Sequence, residues 1–191
     1  MNNLNKQSGF TLVEIAIVLV IIGLLLGGVL KGQEMIKNAE IRSVITDVQG
    51  LTTAMYAYRD RYNAIPGDDA LGVTHTSLTK SDGDGDGVIE ASAAAGTDEN
   101  EDVNFFAHLR AVNLLTGSGV TLPSHSLGGS LSVSNGTNGL SGNVVCASAV
   151  DEADALIIDT KEDDGVYNTG AIRGASVYTG TTGGIALCFE L

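Results

Sequence analysis

Positive charge is scarce in this sequence. Across 191 residues, 10 Lys and Arg stand against 23 Asp and Glu, a formal net charge of −13. Neutralising nucleic-acid phosphates takes clustered Lys and Arg, so the deficit excludes a polyanion partner through the body of the chain. Enzyme signatures are missing as well. His75, His108 and His125 are dispersed with no Cys or Glu at zinc spacing, no Ser sits in G-x-S-x-G, and no phosphate loop is present. His108 in "FAHLR" therefore reads as an ordinary helix side chain, and the chain is expected not to be an enzyme. No internal repeat is evident, and the length is that of about one domain.

Charge is also missing from one long stretch. From Phe10 to Leu30 the only charged residue is Glu14. As a helix this run covers roughly 30 Å, the thickness of a bilayer core, whereas the apolar part of a cleaved secretory signal is about 7–15 residues. No small-residue cleavage site follows it, because "GLLLGGVLKGQEMIKNAE" runs on in a helical pattern. The span is expected to be retained.

Proline is absent from Phe10 to Tyr62, so nothing there stops a helix outright, although Gly23, Gly27, Gly28 and Gly32 weaken it. Ile41, Val44, Val48, Leu51, Met55, Tyr58 and Tyr62 recur at steps of three and four and form one face. Seven such positions fall short of a coiled coil and predict packing against the core of the same chain. A single helix of roughly 53 residues, about 80 Å long, is expected, ending at "NAIPGDD", where Pro66 disfavours helical geometry at Ile65. Further on, "DVNFFAHLRAVNLLTG" reads as a short helix with Asp102 as its cap. "GSLSVSNG", "NVVCASAV", "DALIIDT", "GASVYTG" and "GIALCFEL" read as strands separated by Gly, Asn and Asp. The expected fold class is α+β: a long N-terminal helix, apolar then amphipathic, packed on a small antiparallel sheet of about four strands.

The first thirty residues, "MNNLNKQSG" followed by "FTLVEIAIVLVIIGLLLGG", resemble the type IV pilin and pseudopilin family. Its pattern is a short polar leader ending in Gly, a Phe or Met that becomes the mature N-terminus, then Thr-Leu-Val/Ile-Glu and an apolar helix. The resemblance implies cleavage between Gly9 and Phe10 by a prepilin peptidase, N-methylation of Phe10, and a pilin-like fold. It also implies that Glu14 meets the Phe10 amine of a neighbouring subunit. An intramembrane acid needs a partner, and pairing two desolvated charges makes docking specific in register. Lys31, Lys37 and Arg42 outnumber Lys6, which by the positive-inside rule alone would favour the opposite orientation. The family motif outweighs that rule, since Glu34 and Glu40 flank the same region. Lys31 stands where many filament-forming pilins carry Pro, which moves any expected bend to Gly27 and Gly28. "YRDRYNAIPGDD" and "IDTKEDDGVYNTG" are similar to later segments of some family members, a weaker likeness than that of the leader.

"SDGDGDGVIE" matches the first half of an EF-hand-type loop: Asp82, Asp84 and Asp86 at steps of two, Gly87 for the turn, the Val88 carbonyl, and Glu90 at the ninth position. Ala93 stands where the closing Glu belongs. Closing ligands for calcium would have to come from Asp68, Asp69, Asp98, Glu99 or Glu101; the alternative is a solvated acidic turn. "KEDDG", residues 161–165, reads as a solvated turn capped by Asp163 or Asp164. Cys146 and Cys188 form either a disulfide, as an even count in an exported domain favours, or two buried thiols. The bridged form is similar to the C-terminal disulfide-bounded region of many pilins.

The expected organisation is a leader at 1–9, a membrane and filament-core helix at 10–35, an amphipathic helix at 36–65 and a head at 66–191. The resemblance implies a homopolymeric pilus subunit, held in the inner membrane, passed to an assembly platform and displayed at the cell surface. A type II secretion pseudopilin in a periplasmic pseudopilus is the alternative. A non-polymerising, membrane-anchored calcium-binding protein is a third reading. The disulfide and the head of about 120 residues favour a pilin; the half calcium loop and the missing Pro favour a pseudopilin.

Overall fold

The computed structural model of the chain describes residues 10–79, 82–90, 100–180 and 183–191. Its elements run α1 (Leu12–Tyr62), α2 (Gly72–Thr76), α3 (Glu101–Ala111), β1 (Leu131–Asn135), β2 (Asn143–Val150), α4 (Glu152–Glu162), β3 (Ile172–Gly174) and β4 (Ile185–Glu190). The chain forms two compact units, Met1–Ala39 and Glu40–Leu191.

In the first unit the apolar part of α1 has no protein cover; Leu12 is 92% and Leu24 73% exposed. Among the described residues α1 is the one helix long and apolar enough to cross a membrane.

In the second unit α1 buries Ile41, Val44, Val48, Leu51, Met55 and Tyr58, joined by Ile45 and Ala54, while Tyr62 packs at the edge. Each large apolar side chain buried here contributes roughly 1.5–3 kcal/mol. That exceeds the roughly 0.5–1 kcal/mol that Gly50 costs in mid-helix, so tertiary packing holds this stretch helical. Asn63 then takes a left-handed conformation (φ 53°) and the helix ends.

The stripe packs with one face of a four-stranded antiparallel sheet of order β1-β2-β4-β3. Alternation sends Leu131 and Val133 of β1, and Val145 and Ala147 of β2, into this core, where Phe105, Phe106 and Leu109 of α3 join them. The opposite face carries a smaller cluster of Leu140, Val144, Cys146 and Cys188. A bulge between Ala147 and Val150 bends β2 where it pairs with β4.

Three local expectations are corrected. "DALIIDT" lies in helix α4, not in a strand: Ala155 and Ile158 are buried at helical spacing while Leu156 and Ile157 are partly exposed. Glu152 and Asp154 in its first turn and Lys161 in its last complement the helix dipole. The strand expected in "GASVYTG" instead comprises Ile172–Gly174, and residues 175–180 are bends and loop. Asp102 lies in the first turn of α3, whose N-cap is Asn100. The fold class stands: α1 packs on a small antiparallel sheet.

Candidate functional site

The motif end of α1 is organised by its own residues. Thr11 and Glu14 form a capping box: Glu14 Oε2 accepts from the Thr11 backbone N–H and hydroxyl, both at 2.8 Å. The Glu14 N–H in turn donates to Thr11 Oγ1 at 3.3 Å. Glu14 is thus a helix-starting residue within one chain, before any neighbour is considered. The signal was present in "TLVE", a Thr with Glu three residues later ahead of an apolar run. Phe10 is 83% exposed, and Gly9, across the expected cleavage bond, lies outside the described residues.

The acidic loop is built around Asp68. Its Oδ1 accepts the Gly85 and Asp86 N–H groups at 2.8 and 3.0 Å, and its Oδ2 accepts the Gly87 N–H at 2.9 Å. Successive backbone donors thus form a nest for a carboxylate of the same chain. Gly87 supplies the required positive φ of 92°. At Gly83 the loop passes so close that a Cβ would lie 2.5 Å from Asp68 Cα.

Glu101, at the start of α3, reaches the same place. It accepts the Asp84 N–H at 3.2 Å through Oε1 and the Glu90 N–H at 3.0 Å through Oε2. Asp68, Asp84 and Glu101 bring carboxylate oxygens within 4.8 Å of one another, a grouping of hard oxygen donors suited to a divalent cation. Burial pushes Asp68 up; the Gly87 and Gly85 N–H groups oppose it, the Asp86 charge adds to it, and the net shift is upward. Burial likewise raises Glu101, against the Glu90 and Asp84 N–H groups and with the charges of Asp68 and Asp84.

Of the five loop positions expected from the sequence, the grouping contains Asp84 alone. Asp82 accepts the Val73 N–H at 2.7 Å, and Asp86 accepts the Val88 N–H at 2.8 Å. Glu90 contributes its backbone N–H to Glu101. Asp98 and Glu99 lie outside the described residues. Asp68 and Glu101 were legible as acids near the loop, but their convergence depends on how the α1 exit and α3 pack.

Next to this grouping, Asp69 joins the loop to α1. Its carboxylate takes the Tyr58 hydroxyl at 2.7 Å, His75 Nδ1 at 2.6 Å and the Leu71 N–H at 2.9 Å. Burial alone would raise Asp69, but the His75, Tyr58 and Leu71 hydrogen bonds outweigh it and hold the carboxyl below its ordinary range. Tyr62 stacks on His75 with ring centroids 4.8 Å apart. A cleft of about 360 Å³ opens here, with Tyr62, Asp68, Asp69 and His75 among its walls.

In the C-terminal part, Cys146 and Cys188 are a directly opposed pair on β2 and β4, bonded Sγ–Sγ at 2.07 Å with Cα atoms 4.0 Å apart. A second acidic grouping, Asp159, Asp163 and Asp164, closes the turn after α4. Asp159 takes the Tyr178 hydroxyl, Asp163 the Ile172 N–H, and Asp164 the Thr169 hydroxyl and Val166 N–H. Carboxylates spent on local donors in this way hold a turn.

No curated protein and no solved structure matches the chain. Residues 4–30 match a family described as the prokaryotic N-terminal methylation motif. That match spans part of the expected leader, the capping box and the apolar start of α1. The N-terminal part of this chain therefore carries the class III signal peptide of type IV pilins and pseudopilins.

Proposed function

We propose that the chain is a structural subunit of a type IV pilus-like filament. A prepilin peptidase cuts between Gly9 and Phe10, Phe10 is N-methylated, and α1 holds the subunit in the inner membrane. An assembly platform then draws it into a helical homopolymer at the cell surface. One observation carries this reading: the methylation motif runs directly into a helix whose side chains from Leu12 to Leu30 have no protein cover, while Glu40–Leu191 is compact. Those side chains need lipid first and other copies of the chain afterwards.

Glu14 supplies the register. An ionised carboxylate in lipid needs a partner, and cleavage creates one in the Phe10 amine of a neighbour. Glu14→Val, scored by filaments sheared from cells and by membrane retention of the processed subunit, tests this. Retention without filaments is expected. Filaments of normal length would overturn the assembly role of Glu14.

A pseudopilin of a type II secretion system is the second reading, favoured by Lys31 in place of the usual Pro. Loss of protein secretion on deletion, with no surface filament at native expression, would support it. In either filament, calcium at Asp68, Asp84 and Glu101 would tie the α1 exit to α3, because three converging carboxylates suit a hard cation.

A further inference from the structure

Beyond the stretch needed to cross lipid, α1 still presents an apolar strip. Phe10–Leu30 covers about 30 Å as a helix, enough for the hydrocarbon core, yet Met35 and Ile36 are 65% and 62% exposed. Gly28, Gly32 and Ala39 share their helical face at steps of three and four. Space beside both glycines is open, so another surface can approach the backbone closely. Lys31, paired with Glu34 at 2.9 Å, and Lys37 flank the strip. Met35 and Ile36 thus extend the exposed apolar surface of α1 beyond the membrane stretch.

The head carries a concavity of matching chemistry. A groove of about 230 Å³ lies between α1 and the β3–β4 edge of the sheet. Ile45, Val48, Ile172 and Phe189 line it as an apolar floor, and the exposed Glu162 and Glu190 stand beside them. We propose that this groove receives the Met35–Ile36 strip of a second copy of the chain, with Lys31 and Lys37 of that copy meeting Glu162 and Glu190. The inference rests on the polymer reading above and names one surface that the polymer uses.

Charge selects the occupant. Residues 63–191 hold 18 acidic and 4 basic residues, whereas α1 balances five acidic residues with five Lys and Arg. An acidic-rimmed groove repels anionic lipid headgroups and most of this chain's own head surface. The apolar segment it repels least is the Met35–Ile36 stretch of α1, where Lys31 and Lys37 balance Glu34 and Glu40. Such pairing sets orientation and register, while apolar burial supplies the attraction.

The test uses the full-length chain in cells, with membranes and sheared filaments examined separately. Ile36→Cys is combined with Gln49→Cys, a groove residue, or with Thr53→Cys, an exposed α1 position outside the groove. The native cysteines are already paired and do not interfere. Mild oxidation is expected to give a ladder of covalent multimers for the 36–49 pair and none for the 36–53 pair. Separately, Glu162→Lys with Glu190→Lys should lower filament yield roughly tenfold, because like charges then face each other, and Lys31→Glu with Lys37→Glu in the same chain should restore it. Filaments without the 36–49 ladder overturn the groove assignment and leave the polymer reading standing. A ladder in membranes with no sheared filament from any variant or from the wild type supports the groove and removes the surface-filament reading. Neither ladder nor filament overturns both.

Discussion

The Tyr58 hydroxyl donates to Asp69 Oδ2 over 2.7 Å, which fastens the last turns of α1 to the loop that gathers the head's carboxylates. Both residues are buried, at 0% and 2% exposure, so this bond has no water to replace it. Tyr58→Phe keeps the ring in the core and leaves Asp69 with the His75 and Leu71 donors only. The head together with the amphipathic half of α1, residues 37–191, should lose roughly 1–3 kcal/mol, the cost of an under-satisfied buried acceptor. In urea this reads as a lower midpoint at constant slope. An unchanged midpoint would show that the bond contributes nothing net.

Acid should first stabilise the head and then destabilise it. Asp68, Glu101 and Asp159 have pKa values raised above 3.8, 4.5 and 3.8, chiefly by burial. A raised carboxyl binds its proton more tightly folded than unfolded. Stability therefore grows as pH falls through the folded pKa, and the gain is complete below the unfolded one. Asp69 has the opposite sign: depressed below 3.8, it contributes fully above that value and loses its contribution as pH falls through its folded pKa. Melting temperatures of the head should rise from neutral pH into mild acid and fall again in stronger acid, below the unfolded Asp value. A monotonic decline from pH 7 would contradict the raised trio.

Calcium should act through Asp84 and not through its neighbours. The grouping predicts that Asp84→Ala abolishes any calcium-dependent rise in melting temperature. Asp82→Ala should preserve that rise, because Asp82 lies outside the grouping of Asp68, Asp84 and Glu101. At a hundredfold excess over Kd the cation should stabilise by about 2.7 kcal/mol. Protons compete for the same carboxylates, so the effect should shrink between pH 7 and mild acid. Equal melting temperatures in calcium and in EGTA at pH 7 would remove the metal.

Particular residues show why some of this was legible in the sequence. The α1 stripe could be read because Ile41 to Tyr58 keep one period over many turns and all of them are buried. "DALIIDT" misled because four consecutive apolar residues carry no period; the deciding features were the acids at one end and Lys161 at the other. The EF-hand spacing located the acidic loop, yet Asp82 accepts from the Val73 N–H of α2 and Asp86 from the Val88 N–H of its own turn. Asp84's partners come from positions 16 residues before it and 17 after, which no local motif specifies. The Tyr58–Asp69–His75 arrangement left no sequence signal, since it exists only once α1, its exit and α2 have packed.

The disulfide should matter more for stability than for shape. Cys146 and Cys188 already face each other in a paired register, so the bridge adds mainly a constraint on the unfolded chain. For a sequence separation of 42 the loop-closure estimate is about 4 kcal/mol. Cys146→Ser with Cys188→Ser should lower the urea midpoint accordingly while leaving the far-ultraviolet circular dichroism unchanged. Labelling of two free thiols in the denatured, unreduced wild-type protein would show instead that the bridge is not formed.

Glu14 has two separable tasks, and Glu14→Gln distinguishes them. As a capping-box residue it accepts from the Thr11 N–H, and Gln can do the same. As the partner of a neighbour's Phe10 amine it must carry negative charge, which Gln lacks. If capping were its whole contribution, Glu14→Gln would assemble normally and Thr11→Val would be the damaging change, since Val removes the hydroxyl. If charge pairing governs assembly, Glu14→Gln should leave the processed subunit in the membrane without filaments. Thr11→Val should then reduce assembly only in part. The pair of variants, scored by filament yield from sheared cells against equal amounts of membrane subunit, assigns the carboxylate to one task or the other.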